Sequence, residues 1–547
     1  MMKYPIGIQT FSQIIQDGYV YVDKTDMVYN LANNGKIFFL SRPRRFGKSL
    51  LLSTLKSYFL GQKELFKGLK IDSLEKEWNV YPVFHLSFGT SNFTKLGTLE
   101  AVILDYIESF EKVYGRTTNS DDCAIRFKHV IKAAHEKTGR GAVVLVDEYD
   151  KPLLDVMDNN TLYYQNDNGE KVTYETHNRD ILKGFYGVFK DADEDLQFVM
   201  LTGVTKFSQV SVFSGFNQPN DISMDAHYES LCGITKDELL TVFDEPIRSL
   251  ASANGKDYDE MVSDLTKKYD GYHFSIKMTG IFNPFSILNC FYKNEMSNYW
   301  FASGTPGYLV RLLAHSNENI NELIGKYYSA EMFIDYKADV EQPLPMIYQS
   351  GYLTIKAFNS RRQTYLLDFP NEEVRSGFIS VLAGDYFKEG RTRPSTWLED
   401  VTDALEAGNV EMFMKQMTAL LSSVTYRFQR KQDAFECERY FQYTFYLIMQ
   451  MLGRYNTLVE KETSEGRIDC VLECPDYVYI FEFKLNGSAS AALKQIEDKG
   501  YAKPYMADSR QVICLGINFS SEKGTIDDWI FFVIKMNSYE QKSNRIR

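Results

Sequence analysis

Short apolar runs alternate with helix-like stretches through the first 215 or so residues, and this alternation limits the fold more than any other sequence feature. The run Ala142–Val146 is continuous, which is typical of a strand buried on both faces of a sheet. Strands that alternate with helices predict a parallel sheet with helices on both sides. The predicted strands are 37–40, 83–88, 142–146 and 197–201, and helical patterns cover 48–60, 98–113 and 122–137.

The segment after the first predicted strand has the features of a phosphate-binding loop and reads Ser41-Arg42-Pro43-Arg44-Arg45-Phe46-Gly47-Lys48-Ser49. Gly47 lets the backbone approach a phosphate where a helix begins. We expect Lys48 to contact the β- and γ-phosphates of ATP and the Ser49 hydroxyl to bind Mg²⁺. The usual pattern begins with Gly where this chain has Arg42. Taken alone, the loop therefore also fits a basic segment that caps a helix.

The neighbouring loop residues are compatible with more than one role. Arg45 and Phe46 belong to the predicted nucleotide-binding set together with the Gly-Lys-Ser turn. For Arg44 and Arg45 three roles stay open: neutralising phosphate, acting across an oligomer interface, or lying in solvent. The sequence is thus compatible with an oligomer without requiring one.

Two acids follow the strand at 142–146, which is the Walker B arrangement. Asp147 is expected to hold Mg²⁺ through water, while Glu148 orients and polarises the attacking water. Thr202 ends the next strand, where a polar sensor of the γ-phosphate usually lies. The strand-like stretch 83–88 lies between the loop and the acids, an order that suits P-loop proteins with a catalytic glutamate. Together these features favour an ATP site over a ligand-free basic loop.

From about 216 the pattern becomes mainly helical. Thr235 and Glu238 have the spacing of a capping box. A hairpin is predicted from 352–355 and 364–367, and a helix followed by a hairpin is also typical of a winged-helix domain. We predict three segments: a P-loop domain over 1–215, a mainly helical region over 216–428, and a C-terminal domain over 429–547. The last is expected to contain a long helix, two or three strands, a helix and a closing strand.

Charged side chains come together on two predicted strands of the C-terminal segment. Glu482 and Lys484 are two residues apart, so they point the same way, and an adjacent strand offers Asp469. Two carboxylates can hold Mg²⁺, or Mn²⁺, and the lysine can orient or activate the water that attacks a phosphodiester. Glu482 lies among apolar residues, an expensive place for an unpaired acid. Ordinary charges at strand edges are the alternative explanation.

Two further residues extend this predicted catalytic site. Glu438 lies in an upstream helical stretch and can complete the acidic cluster. Gln495 lies downstream of the charged strands and is also predicted to belong to the site. It lies four residues before Lys499, so the two side chains share one face of a helix.

Charge and cysteine content limit the partners and the compartment. The net charge is −12, whereas proteins that coat DNA usually carry a basic excess, so any nucleic-acid contact is expected to be local or helped by a metal ion. No run of about 18 uncharged apolar residues predicts a membrane span. The start lacks the apolar core of a secretory signal. Seven cysteines without a Cys-x-x-Cys pair indicate free thiols, and we predict a cytoplasmic protein.

Taken together, the motifs resemble the AAA-ATPase-like proteins of bacteria and archaea, and the C-terminus is similar to the PD-(D/E)XK nuclease superfamily. The resemblance implies an ATP-binding domain joined to a restriction-endonuclease-like α/β domain. Members often carry His where this chain has Gln442, and Ile468 replaces the Pro of the nuclease motif. The similar segments cover nearly the whole chain and are 21–25, 42–49, 146–152, 201–208, 269–272, 283–286 and 348–352, besides the C-terminal motif.

Two functions are therefore compatible with the sequence. In the first, ATP binding or hydrolysis controls a Mg²⁺-dependent nuclease that cleaves DNA or RNA. In the second, an ATP-driven switch carries a rear domain that binds nucleic acid or a protein partner without cutting. The intact Asp469, Glu482 and Lys484 favour the first, whereas the acidic net charge and the lack of an obvious basic groove favour the second.

Overall fold

The computed structural model describes residues 2–157, 159, 161–166, 168–206, 219–302, 323–334, 343–378, 394–424, 445–446, 448–449, 456–463, 466–506, 508–523 and 525–534. The chain divides into two compact units, Met1–Arg375 and Ser376–Arg547. Among the helices of the described ranges, none is long and apolar enough to cross a membrane. The six described cysteines are all free thiols.

The first unit contains twelve described strands and a larger number of helices. Its strands are β1 (Ile37–Ser41), β2 (Val83–Ser87), β3 (Ala142–Asp147), β4 (Tyr163–Gln165), β5 (Lys171–Thr173), β6 (Leu196–Gly203), β7 (Asn220–Asp221), β8 (Ile234–Thr235), β9 (Ile281–Phe282), β10 (Lys326–Ser329), β11 (Thr354–Asn359) and β12 (Thr364–Asp368). Its α-helices are Phe11–Gln16, Thr25–Asn33, Lys48–Phe59, Lys70–Leu74, Thr98–Tyr114, Cys123–Thr138, Lys151–Leu154, Tyr174–Asp191, Lys236–Val242, Asp244–Ala253, Tyr258–Tyr269, Pro284–Lys293, Tyr299–Ala302 and Leu344–Gln349.

A parallel sheet in the order β2-β3-β6-β1-β7 forms the centre of this unit, which confirms the predicted fold. Every residue of β3 is buried, as its continuous apolar run indicates. Because β6 lies between β1 and β3, the segments that follow these three strands leave the sheet side by side. In open α/β sheets this carboxyl edge is where ligands bind.

The part of the first unit beyond the parallel sheet is mainly helical, as predicted. The capping box is confirmed, since Thr235 N donates to Glu238 Oε2 at 2.9 Å and Glu238 N donates to Thr235 Oγ1 at 3.3 Å. The predicted hairpin is confirmed as β11 and β12. It is joined by β10 into a three-stranded antiparallel sheet in the order β10-β12-β11. The short helix Leu344–Gln349 precedes this hairpin.

The second unit is built on a five-stranded mixed sheet in the order β13-β14-β15-β16-β17, in which only β15 and β16 pair in parallel. The sequence predicted one closing strand after the last helix, whereas two antiparallel strands are present there. Asp527 and Asp528 interrupt the apolar pattern of the final strand, so the sequence signal was weak. The strands are β13 (Asn456–Thr463), β14 (Gly466–Glu473), β15 (Tyr477–Leu485), β16 (Gln511–Ser520) and β17 (Thr525–Ile534).

Helices cover both faces of the mixed sheet. Pro394–Glu406 and Val410–Val424 share a hydrophobic core with one face, where the rings of Phe413 and Phe481 lie 6.0 Å apart. Ala489–Asp498 packs on the other face, with Ile496 in the second core. The two helices before residue 428 thus share a core with the C-terminal sheet. The predicted domain limits at 215 and 428 remain predictions.

Candidate functional site

The loop between β1 and the helix Lys48–Phe59 has the backbone of a tight phosphate-binding turn. Gly47 has φ 93°, a left-handed conformation that glycine adopts without strain. Lys48 begins the helix and is only 8% exposed. Its Nζ donates to the carbonyl oxygens of Arg42 at 2.9 Å and Pro43 at 3.1 Å. Burial lowers the pKa of Lys48, although the nearby charges of Asp147 and Asp150 oppose this effect.

Arg42 stands where the usual pattern has glycine, and the structure gives this departure a physical reason. Its side chain is fully buried, and Nη1 donates to Ser223 O at 2.7 Å. The guanidinium also lies 4.0 Å from the ring centroid of Phe274. Phe46 is buried too, with its ring 4.8 Å from that of Tyr272. The side chains of Arg42 and Phe46 therefore anchor the loop to the protein interior. The predicted contact between Phe46 and a nucleotide remains a prediction.

The contacts of the other loop residues do not decide their roles. The guanidinium of Arg45 lies 5.1 Å from the ring centroid of Phe285. The indole of Trp300 donates to the carbonyl oxygen of Arg44 at 3.2 Å. Ser49 lies in the first turn of the helix and is half-buried. Its binding of Mg²⁺, like a nucleotide contact of Arg45, remains a prediction.

The acids after β3 lie beside the end of β6. Asp147 is buried, and its Oδ1 accepts hydrogen bonds from Thr202 Oγ1 at 2.9 Å and from Glu148 N at 3.1 Å. Thr202 therefore orients Asp147 directly, and its predicted contact with the γ-phosphate remains untested. Glu148 has φ 51°, which is uncommon for a residue other than glycine. Burial is the main cause that raises the pKa of Glu148, and the negative charges of Asp147 and Asp150 raise it further.

Asp150 is a buried residue whose role the sequence did not predict. Its Oδ2 accepts hydrogen bonds from Val204 N at 2.9 Å and from Thr205 N and Oγ1 at 2.7 and 2.8 Å. Burial raises its pKa despite these bonds. A side chain at Gly203 would come within 2.7 Å of Asp150 Oδ1. Asp150 thus joins the segments after β3 and β6. Two sequence features could have predicted this role: the acids that recur after β3 and the threonines around Gly203.

In the second unit, Asp469 and Glu482 lie where β14 and β15 separate. The ladder runs from the pair Glu473 and Val478 to the pair Cys470 and Phe481, and the two acids are the next residues on each strand. Asp469 Oδ2 accepts a hydrogen bond from the backbone N–H of Phe483 at 2.8 Å. The structure therefore brings both predicted carboxylates together at one point of the sheet.

The surroundings of Glu482 fit a bound divalent cation. The residue is 1% exposed, and burial together with the charge of Asp469 raises its pKa to about 7. Glu482 Oε2 is buried and accepts no hydrogen bond from any described residue. A buried carboxylate oxygen without a partner is costly unless a cation or proton satisfies it. Mg²⁺ and Mn²⁺ prefer such oxygen ligands.

Lys484 is held beside these acids. Its Nζ lies 3.3 Å from Glu482 Oε1 and donates to Gln495 Oε1 at 2.8 Å. A side chain at Gly516, which pairs with Glu482, would come within 2.3 Å of Ala489 O. Gly516 therefore lets the helix Ala489–Asp498 approach the sheet closely, and this approach brings Gln495 to Lys484.

The third acid predicted for this site, Glu438, lies outside the described residues. Within the described ranges, no group of three or more His, Cys, Asp or Glu residues is arranged to hold a metal ion. The described part of this site thus offers two carboxylates, Asp469 and Glu482, with Lys484 beside them.

Comparison with known proteins matches an N-terminal part and a C-terminal part of the chain. Residues 5–213 match a family model described as a predicted AAA-ATPase. Residues 436–529 match the PD-(D/E)XK nuclease superfamily. A protein of Azotobacter chroococcum mcd 1, named as an uncharacterized protein in the vnfD 5′ region, is 35% identical over 532 residues. That similarity covers 96% of this chain and 98% of the relative.

Proposed function

Because the chain belongs to the family that joins an AAA-ATPase-like domain to a PD-(D/E)XK nuclease superfamily domain, we propose that it is an ATP-controlled nuclease. In this proposal the first unit binds and hydrolyses ATP. Its nucleotide state then controls Mg²⁺-dependent cleavage of DNA or RNA phosphodiesters in the second unit. The nucleic acid binds locally, since the chain as a whole carries a net charge of −12.

One observation carries the nuclease part of this proposal: Glu482 Oε2 is buried beside Asp469 and accepts no hydrogen bond from the residues that the structure describes. Ordinary strand-edge charges are exposed and solvated, whereas Glu482 is 1% exposed. A fold retains such a group at a cost of a few kcal/mol, and the cost is offset when the oxygen binds a cation.

Each described residue of the rear site has a separate role in the proposal. Asp469 and Glu482 would hold the metal ion, which when bound polarises a phosphodiester and lowers the pKa of water. Lys484 orients or activates the attacking water. Gln495 fixes the Lys484 ammonium through the hydrogen bond at 2.8 Å, so it acts as a positioning residue.

The residues of the proposed ATP site in the first unit also have separate roles. Lys48 would bind the phosphates of ATP at the start of its helix. Ser49 and Asp147 would hold Mg²⁺, and Thr202 keeps the Asp147 carboxylate in place. Glu148 would orient the water that attacks the γ-phosphate.

Cleavage assays with matched variants test the rear site. Labelled DNA and RNA, single- and double-stranded, are incubated with Mg²⁺ or Mn²⁺, with and without ATP. We expect Asp469→Asn and Glu482→Gln to abolish cleavage, because each loses a metal ligand. Lys484→Met should slow cleavage but retain stabilisation of the fold by the divalent ion. Glu473→Gln is the matched control, since Glu473 lies on β14 at the opposite end of its ladder with β15.

Thermal unfolding with and without the divalent ion completes the test. A shift in the melting temperature of wild type that disappears in Asp469→Asn supports the metal site. A wild type with neither a metal-linked shift nor cleavage of any substrate, with or without ATP, would favour a switch that binds without cutting.

A further inference from the structure

A small cavity lies between the end of β1 and the start of β11 in the first unit, and we infer that it binds inorganic phosphate. Its wall contains Arg42 directly after β1, Lys206 after β6 and Tyr348 of the helix Leu344–Gln349. Neither Gly47 nor Lys48 lines this cavity, so it is separate from the predicted site of the ATP phosphates. The inference requires no nucleotide and goes beyond the proposed function.

Arg42 brings to this cavity a buried positive charge that no carboxylate balances. Its side chain is 1% exposed, and a guanidinium stays protonated even though burial lowers the pKa of Arg42. Its hydrogen bonds go to the carbonyl oxygens of Ser41 at 2.9 Å, Ser223 at 2.7 Å and Tyr228 at 3.3 Å. Arg42 forms no ion pair with a carboxylate of the described chain. Because a buried unpaired charge is costly, an anion in the cavity would offset that cost.

Two hydrogen-bond donors in the wall have no acceptor among the residues that the structure describes. Arg42 Nε is buried without a hydrogen-bond partner. The hydroxyl of Tyr348 also makes no hydrogen bond to a described residue. The two groups are close enough to interact, since burial raises the pKa of Tyr348 and the charge of Arg42 opposes this rise. Donors that share a cavity without acceptors favour a ligand that supplies several acceptor oxygens.

The other charges around the cavity do not cancel that of Arg42. Lys206 Nζ lies 2.9 Å from Asp221 Oδ2, so these two charges balance each other. Glu229 also acts on Arg42 from a distance, but its carboxylate already accepts hydrogen bonds from two neighbouring hydroxyl groups. Among the lining residues in the described ranges, none is Asp or Glu. The cavity therefore favours an anion over a neutral or positively charged ligand.

The size of the cavity suits a small ion and excludes a nucleotide. Its volume is about 40 Å³, whereas a cavity needs roughly 10–15 Å³ to hold one water molecule. A few waters, or one tetrahedral oxyanion in their place, can therefore occupy it. Phosphate presents oxygens in four directions, which suits donors that come from three separate segments of the chain. Chloride lacks these oxygens, so we expect phosphate to bind more tightly.

Calorimetric titration of the full chain with inorganic phosphate, in the absence of nucleotide, tests the inference. Tyr348→Phe removes one donor and keeps the ring, so the affinity for phosphate should fall on the order of tenfold. Tyr327→Phe is the matched control, since Tyr327 is 51% exposed and does not line the cavity. It should bind phosphate as wild type does. Lys206→Met leaves Asp221 unpaired next to the cavity wall, so it should weaken phosphate binding as well.

Lys48→Ala distinguishes this cavity from the phosphate-binding turn. Because Lys48 does not line the cavity, the variant should bind phosphate within about twofold of wild type. Loss of phosphate binding in Lys48→Ala would assign the ion to the turn and overturn the inference. The loss of ATP affinity expected in the same variant tests the proposed ATP site separately.

Thermal unfolding in phosphate and in chloride at equal ionic strength provides a second measurement. Phosphate should raise the melting temperature of wild type more than chloride does, because it binds the folded state. Equal stabilisation by the two salts, or a wild type that does not bind phosphate, would overturn the inference. An affinity of Tyr348→Phe or Lys206→Met equal to that of wild type would also overturn it. These results leave the proposed ATP site unaffected.

Discussion

At the scale of single residues, Lys48 and Glu148 are expected to separate ATP binding from hydrolysis. Lys48→Ala removes a charged phosphate contact, so the affinity for ATP should fall on the order of a hundredfold or more. Glu148→Gln keeps the loop and Asp147 intact, so it should bind ATP and lose hydrolysis. Titration and phosphate release measure the two effects. A Lys48→Ala protein that binds ATP as tightly as wild type would contradict the loop assignment.

Glu373 is expected to make the stability of the first unit depend on pH. It is 1% exposed, accepts hydrogen bonds from Ser286 Oγ at 2.7 Å and Trp300 N at 2.8 Å, and burial raises its pKa from 4.5 to about 7. Between these two pH values the folded carboxyl holds its proton while the unfolded one releases it. The free energy of unfolding should therefore fall by about 3 kcal/mol as the pH rises through this range.

Denaturant unfolding of the first unit across this pH range checks the expectation. Glu373→Gln carries no titratable proton, so its stability should lose this part of the pH dependence. The exposed neighbour Glu372 provides the control, and Glu372→Gln should keep the wild-type profile. A Glu373→Gln protein with an unchanged profile would show that another group is responsible.

At the scale of elements, the approach of the helix Ala489–Asp498 to the sheet depends on Gly516. A methyl group at this position would lie 2.3 Å from Ala489 O, so Gly516→Ala must push the helix away. We expect a loss of about 1–3 kcal/mol in the stability of the second unit, as for other overpacked cores. Cleavage should also slow, because Gln495 moves away from Lys484. Activity and unfolding are measured on the same preparations.

Gly184→Ala is the matched control for this substitution. Gly184 lies within the helix Tyr174–Asp191 and is exposed, and its added methyl group would meet nothing within 4 Å. Replacing a helical glycine by alanine should stabilise the first unit by about 0.5–1 kcal/mol. The same chemical change is thus expected to have opposite effects at the two positions. Destabilisation of similar size at both would contradict the packing argument.

The elements that the sequence predicted well are those governed by local rules. The apolar run of β3 and the capping box of Thr235 and Glu238 each follow from a few neighbouring residues. The features it missed depend on residues far apart in the chain. Arg42 meets Ser223 only after β1 and β7 pair, and Gly516 matters only because a helix crosses it.

The residues of the candidate sites also divide into those that local sequence rules predict and those whose contacts depend on distant parts of the chain. The spacing of Glu482 and Lys484 placed both on one face, and the adjacent strand brought Asp469 to them. The sequence placed Gln495 in the site, but no sequence rule could show that it would bind Lys484. Nor could one show that Asp150 would hold the segment after β6. Those contacts depend on how the helices and loops pack against the sheets once the strands have paired.

At the scale of the whole molecule, the two units should influence each other through their ligands if nucleotide state controls cleavage. Thermodynamic linkage then requires ATP to change the affinity for nucleic acid by the same factor as nucleic acid changes the affinity for ATP. Glu148→Gln, which should bind ATP without hydrolysing it, allows both affinities to be measured at equilibrium. Couplings of about 5- to 150-fold are typical of such proteins. Equal ATP affinities with and without saturating nucleic acid would leave two independent units.

The order of the strands in the parallel sheet also determines how early during synthesis the first unit can fold. In the described part of the chain β1 ends at Ser41, whereas β6 and β7, the strands on either side of it, begin at Leu196 and Asn220. At about 5–20 residues per second, the ribosome needs roughly 8 to 31 s to reach the first of these neighbours. During that interval the apolar residues of β1 leave the exit tunnel with both edges unpaired. We therefore expect the nascent chain to need chaperones, or its own early helices, to keep this strand from aggregating until the sheet forms around it.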